Sequence, residues 1–246
     1  MKRMLLVSAG MPRAGSGWHY NLMHDLVLAG GGQDAREIRV RYHLERLLTE
    51  VNCNLSTLSG ARLLPILLPV LRGNTFVIKT HGGPTAAART LLLAERMMAT
   101  YIYRDPRAAL LSAYEYGQRA VSKGTVNAFS ELDSLETALT FFGKYLIIWE
   151  KWMSCKSVLK VRYEDLLIDF DQELTRLVEH LQIENTMPGI MDVVDRYRPE
   201  RTGSSQRGMH YNVGKLERFR EIFSPEQLHA FNLALEHQLE RMGYQL

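Results

Sequence analysis

Cysteine is nearly absent from this chain. Cys53 and Cys155 are the only two in 246 residues, and their separation builds neither a disulfide framework nor a paired-thiolate metal site. Two buried thiols in a reducing compartment is the plain reading. No zinc-type spacing such as His-Glu-x-x-His links the eight histidines, so no metal is expected. Long apolar runs are missing as well. Met4–Ala9 follows Lys2-Arg3 in faint imitation of a signal peptide, but it is short and runs straight into a glycine-rich turn. Leu63–Leu71 is broken by Pro65 and Pro69 and is far too short to span a bilayer. There is no long Lys/Arg block, and the net charge of +3 is mild. That leaves room for an anionic ligand without calling for nucleic acid. The expectation is a cytoplasmic protein with no membrane span, no metal and no nucleic-acid partner.

What is present fits an enzyme of ordinary composition. Hydrophobic residues make up 46% and charged residues 23%, and a chain of this length holds a substantial core and still carries a cleft. One domain over 1–246 is expected. Met4–Ser8 reads as a buried strand, Gly10–Gly17 as a loop, and Trp18 to about Leu28 as a helix stopped by Gly30-Gly31-Gly32. The alternation then repeats. Strands are expected at Thr75–Ile78, Thr100–Tyr103 and Ser157–Val161. Helices are expected at Thr85–Met98, Pro106–Gln118, Leu135–Met153, Asp171–Gln182 and from Ser224 to Met242. Short apolar strands alternating with helices predict an α/β fold with a parallel β-sheet flanked by helices. In such sheets ligands bind at the carboxyl ends of the strands. Arg36–Gly73 carries no clear strand and is read as helices walling a substrate cleft. Arg198–Val213 is read as a loop.

Four segments carry chemistry, and each lies just beyond an expected strand. The first is Gly10-Met11-Pro12-Arg13-Ala14-Gly15-Ser16-Gly17-Trp18. Its glycines let backbone amides turn inward, and the following helix aims its positive end at the same point. A Walker A loop would carry lysine after its last glycine. Here Ser16-Gly17 stands in that place, and Arg13 offers a guanidinium from within the loop. Alone, the segment is equally an ordinary glycine turn. The second is Lys79-Thr80-His81-Gly82-Gly83, where a histidine at a strand end is available as a proton acceptor. The third is Arg104-Asp105-Pro106-Arg107 with Ser112 eight residues beyond Arg104. A phosphate beside the first loop would receive a charged fork and a hydroxyl from this pair. The competing reading pairs Arg104 with Asp105 or Asp165 on the surface. The fourth is Tyr163-Glu164-Asp165-Leu166, whose tyrosine is suited to contact a base.

Taken in order, these segments resemble the PAPS-dependent sulfotransferase family of the cytosolic type (PAPS is 3′-phosphoadenosine 5′-phosphosulfate). Pro12–Trp18 looks like its 5′-phosphosulfate loop, Lys79-Thr80-His81 like the segment bearing its catalytic histidine, and Arg104–Arg107 with Ser112 like its 3′-phosphate motif. Tyr163-Glu164-Asp165 matches the segment near adenine. Asn212–Arg220 is a degraded likeness of the C-terminal Arg-Lys-Gly motif. The likeness spans nearly the whole chain.

The resemblance implies a P-loop NTPase-like three-layer sandwich and transfer of a sulfuryl group from PAPS to a hydroxyl or amine of a small-molecule acceptor, leaving PAP. It implies His81 as base, with Arg13 and Lys79 supplying positive charge. It implies donor contacts from Arg13, Ala14, Gly15, Ser16, Gly17, Trp18, Arg104, Ser112, Tyr163, Arg207, Val213 and Gly214, with Trp18 stacking on adenine. Two departures stand out. Gly17 replaces a hydroxyl residue, and Asn212-Val213 replaces a basic pair that Arg207 would have to make up for. A kinase-like phosphotransferase and a non-catalytic PAP-binding protein are the alternatives.

Overall fold

The computed structural model describes residues 3–184, 189–201 and 216–246. The chain runs β1 Leu5–Gly10, α1 Ser16–Ala29, α2 Ala35–Arg41, α3 Gly60–Leu71, β2 Phe76–Thr80, α4 Ala86–Leu93 and β3 Met97–Tyr103. It continues α5 Pro106–Ser122, α6 Leu135–Met153, β4 Leu159–Arg162, α7 Tyr163–Ile168, α8 Phe170–His180, α9 Ile190–Tyr197, α10 Phe219–Ile222 and α11 Pro225–Met242. The four strands form one parallel sheet in the order β2-β1-β3-β4. Every residue of β1 and β2 is buried, as a parallel sheet covered on both faces requires.

The alternation of side chains along β1 and β3 assigns the covering helices. Ser8 pairs in register with Thr100 on β3 and with Lys79 on β2, so these three share a face. Ser8 bonds His19 of α1 at 2.9 Å, and Thr100 donates its hydroxyl to Met23 Sδ of the same helix. Ala9 and Tyr101 form the next pair in register and therefore point the other way. There Tyr101 stacks on Trp152 of α6, with centroids 5.9 Å apart. Helices α1 and α6 thus cover opposite faces, giving the expected three layers.

Strand order sets the site. The chain leaves β1 toward β2 on one side and leaves β3 toward β4 on the other. The carboxyl ends of β1 and β3 therefore open a crevice between diverging connections, where α/β sheets bind ligands. The loop Met11–Gly15 and the pair Arg104-Asp105 flank that crevice from its two strands.

Several boundaries differ from expectation. The helix expected over Thr85–Met98 ends at Leu93. Glu95 takes a left-handed turn at φ 51, and β3 starts at Met97. Leu91-Leu92-Leu93-Ala94 is apolar on every face and Met97-Met98 resumes after Glu95-Arg96, so periodicity does not separate helix end from strand start. Arg36–Gly73 holds α2 and α3 without a strand, as expected. Helix α3 keeps both Pro65 and Pro69 inside it. Its last turn leads into the amino end of β2, the edge of the sheet opposite the crevice. Helices α7 and α9 were not foreseen. Most of Arg198–Val213 lies outside the described residues.

Candidate active site

The loop after β1 is held in a strained shape. Arg13 has φ 64 and Gly15 has φ 74, two left-handed residues with Ala14 between them. Helix α1 starts directly from that bend, with the Gly15 carbonyl accepting its first backbone bond from His19 N. The first-turn amides of Ser16, Gly17 and Trp18 have no intrahelical acceptor. The first turn also carries no acid, so the positive end of α1 faces the crevice uncompensated.

Tyr163 ties this loop to Arg104. A Cβ added at Gly15 would lie 2.6 Å from Tyr163 Cδ2, so only glycine lets the loop rest against that ring. The Arg104 guanidinium carbon lies 4.5 Å from the ring centroid, and Trp18 meets the same ring edge-on at 6.3 Å. The carboxylates suspected as Arg104 partners are engaged elsewhere. Asp105 caps α5 and pairs with Arg107 at 2.8 Å, and Asp165 lies 3.7 Å from Arg162. Arg104 forms no ion pair with a carboxylate among the described residues, and its Nε is buried without a partner.

Arg13 reaches across the crevice to α5. Its Nε donates to Ser112 Oγ at 3.3 Å, and its guanidinium carbon lies 4.4 Å from the Tyr116 ring centroid. Burial pulls its pKa down to about 10, with Arg119 and Arg104 pushing the same way and Tyr116 opposing them. Arg13, Arg104 and Ser112 therefore form one cationic array. The hold of the Tyr116 ring on Arg13 shows in the sequence only as a helical offset of four from Ser112.

His81 closes the site from β2. Its Nδ1 lies 2.7 Å from the Gly10 carbonyl oxygen. A carbonyl only accepts, so Nδ1 carries the proton and Nε2 holds a lone pair. Burial, then the Lys79 charge, lowers the His81 pKa to about 3. Lys79 is itself buried on the α1 face, and burial followed by Arg13 lowers it to about 8. Beneath it lies a pair that no motif marks: His19, buried and bonded to Ser8, with its Nε2 unpartnered.

Trp18 is the member whose surroundings differ most from expectation. It is buried, stacked on Phe170 at 6.2 Å, and its Nε1 donates to the Tyr197 carbonyl. One face of the indole is thereby occupied by protein. Ala14 is buried behind the loop. Arg207, Asn212, Val213 and Gly214 lie outside the described residues. Among the described residues no group of three or more acidic, histidine or cysteine side chains is arranged to hold a metal. Among them, too, no helix is long and apolar enough to cross a membrane.

A family model described as a sulfotransferase domain matches residues 6–243. No curated protein sequence matches the chain. Among solved structures, a retinol dehydratase bound to androsterone and inactive cofactor PAP is 15% identical with a TM-score of 0.62, covering 97% of this chain and 81% of its own. A mouse sulfotransferase, SULT7A1, complexed with PAP, is 14% identical with a TM-score of 0.63, covering 97% of this chain and 86% of its own. These likenesses carry the fold.

Proposed function

Because the chain belongs to the sulfotransferase domain family, we propose that its crevice moves a sulfuryl group from PAPS to a hydroxyl of a small-molecule acceptor. The observation that carries this reading is the bond from His81 Nδ1 to the Gly10 carbonyl, 2.7 Å long. It fixes a neutral imidazole with its Nε2 lone pair free, beside Lys79 and the amide-lined loop. That is a proton acceptor next to an anion cradle.

The acceptor oxygen attacks sulfur in line with the bond to the 5′-phosphate. As the new S–O bond forms, the old one breaks, its electron pair leaves on the phosphate oxygen, and PAP departs. The acceptor proton passes to His81 Nε2. Charge growing on the leaving phosphate is met by Lys79, Arg13 and the first-turn amides of Ser16, Gly17 and Trp18. In a site this buried such fixed donors act strongly. Gly17 contributes its amide alone, having no hydroxyl.

Arg104 and Ser112 are assigned to the 3′-phosphate, with Tyr163 holding Arg104 in place. Arg207, Val213 and Gly214 are assigned to the same end of the donor. The buried indole of Trp18 leaves an edge, or a shift off Phe170, for contact with adenine. The chain is read as acting as one domain over 1–246, in the cytoplasm. Incubation with PAPS radiolabelled on sulfur and a panel of phenols, sterols, amines and glycans tests the reading. Label should move to at least one acceptor without added divalent metal. Transfer to none, with PAP also failing to bind, would sink it.

A further inference from the structure

Helix α3 is apolar on both its inner and its outer side yet lies on the surface. Its sequence from Gly60 to Leu71 has Arg62 as its one charged residue. The inner side is satisfied by the core, where Leu63, Ile66 and Val70 are buried. The outer side repeats the pattern at helical spacing. Leu64 is 72% exposed, Leu68 44% and Leu71 77%. A helix apolar on all sides is ordinarily buried in protein or lipid. Beside this row a shallow hollow of about 590 Å³ runs to Leu91 of α4, and the charged residues lining it are Arg3 and Arg96.

The charge pattern around the leucines is one-sided. From Val51 to Ala94 the chain carries Arg62, Arg72, Lys79 and Arg89 and no acidic residue. Arg62 is bonded to Ser56, Arg89 to the Lys151 carbonyl and Ser154, and Lys79 is buried toward the crevice. Arg72 is exposed at the end of α3. With Arg3 and Arg96 it makes three arginines bordering the leucine row. Glu95, next in the chain, lines the neighbouring hollow with His180.

We propose that this face docks on an anionic lipid bilayer, with Leu64, Leu68 and Leu71 entering the interface and Arg3, Arg72 and Arg96 pairing with lipid phosphates. The composition favours lipid over protein. Protein hot spots are rich in Trp, Tyr and Arg and poor in Leu, whereas this face offers leucines with no aromatic ring among the lining residues. Leucine beside arginine is the chemistry of interfacial helices. A second copy of the chain fits poorly, because two-fold contact would bring arginine against arginine. The orientation follows from the fold. Arg3 precedes β1, Arg96 precedes β3, and α3 leads into β2. The face therefore lies at the amino edge of the sheet, and a docked molecule holds its crevice toward solution.

The test is co-sedimentation of the full chain with vesicles of phosphatidylcholine alone or mixed with phosphatidylserine. The mixed vesicles should bind it and the neutral ones should not, and salt should weaken the binding. The double variants Leu64→Ser with Leu71→Ser, and Arg3→Glu with Arg96→Glu, should each bind about tenfold or more weakly. Both should keep the parent's Tm and PAP affinity, since they change exposed side chains far from the crevice. PAP affinity should also be the same on and off vesicles. The proposal fails if the parent ignores anionic vesicles or binds neutral ones equally. It fails as well if the leucine variant binds like the parent, or if light scattering finds a dimer that the leucine variant dissolves.

Discussion

The Gly10 carbonyl oxygen receives the Nδ1 proton of His81 across 2.7 Å, so the last residue of β1 fixes the tautomer of a histidine just beyond β2. Strand pairing thereby does chemical work. Ala9 and Thr80 are in register, and the next residue of each strand meets the other at the sheet edge. The proton-accepting nitrogen is set by the backbone rather than by a carboxylate.

Replacing His81 with alanine removes the acceptor for the substrate proton. Turnover should fall about 100- to 10,000-fold, while PAP affinity stays within a few-fold. A His81→Ala enzyme with near-parental kcat and intact fold would show that the base lies elsewhere.

The pH dependence of kcat/KM reports the free enzyme. His81, held near pKa 3 by burial and then by Lys79, is neutral through the whole working range, so no acid limb from it should appear above pH of about 5. Lys79 carries its charge below its pKa of about 8 and loses it above. An alkaline limb should therefore appear near pH 8. Lys79→Arg should push that limb out of range, because guanidinium keeps its proton. An unmoved limb would assign it to another group.

Buried histidines also tie stability to acid. Burial, then Lys79, depresses His19 from 6.5 to about 3, so the unfolded chain binds its proton first as pH falls. Its contribution is fully present above pH 6.5 and is lost progressively between 6.5 and about 3. The slope is about 1.4 kcal/mol per pH unit for each such proton. His81 and His180 are shifted the same way. Urea titrations at stepped pH should give His19→Gln a slope shallower by about one proton. An unchanged slope would mean His19 is protonated in the fold.

Gly15 is bound to its conformation by two constraints at once, a left-handed φ of 74 and the Tyr163 ring 2.6 Å from any added Cβ. Gly15→Ala should cost about 2 kcal/mol, a fall in Tm of about 5 °C, and should weaken PAP binding by displacing Tyr163. Calorimetric melting with a PAP titration checks both. A variant melting and binding like the parent would show that the ring moves aside freely.

Much of this arrangement was legible before folding, because glycine, proline and charged residues cluster where strands end. The loop after β1, the His81 segment and the Arg104-to-Ser112 spacing stand out by residue type at strand ends, and their order along the chain, matched to a known family, gives them their assigned roles. Their junctions were not. The contact of Tyr163 with Gly15 joins residues 148 positions apart and leaves no periodic trace. The burial of Trp18 depends on α8 and α9, of which α9 gave no clear signal. The end of α4 was hidden by a leucine run that satisfies strand and helix equally. The outward row of α3 left no mark because leucine spacing reports a helix and does not say which side faces the core.

A sulfotransferase donor site must distinguish a 3′-phosphate, and calorimetric titration of PAP against adenosine 5′-monophosphate measures that directly. PAP should bind one site without metal and more tightly than the monophosphate. Arg104→Ala should erase about 10- to 100-fold of that preference, the worth of a charged hydrogen-bonded contact, and leave monophosphate binding nearly unchanged. Equal affinity for the two nucleotides, or equal losses in the variant, would contradict the account.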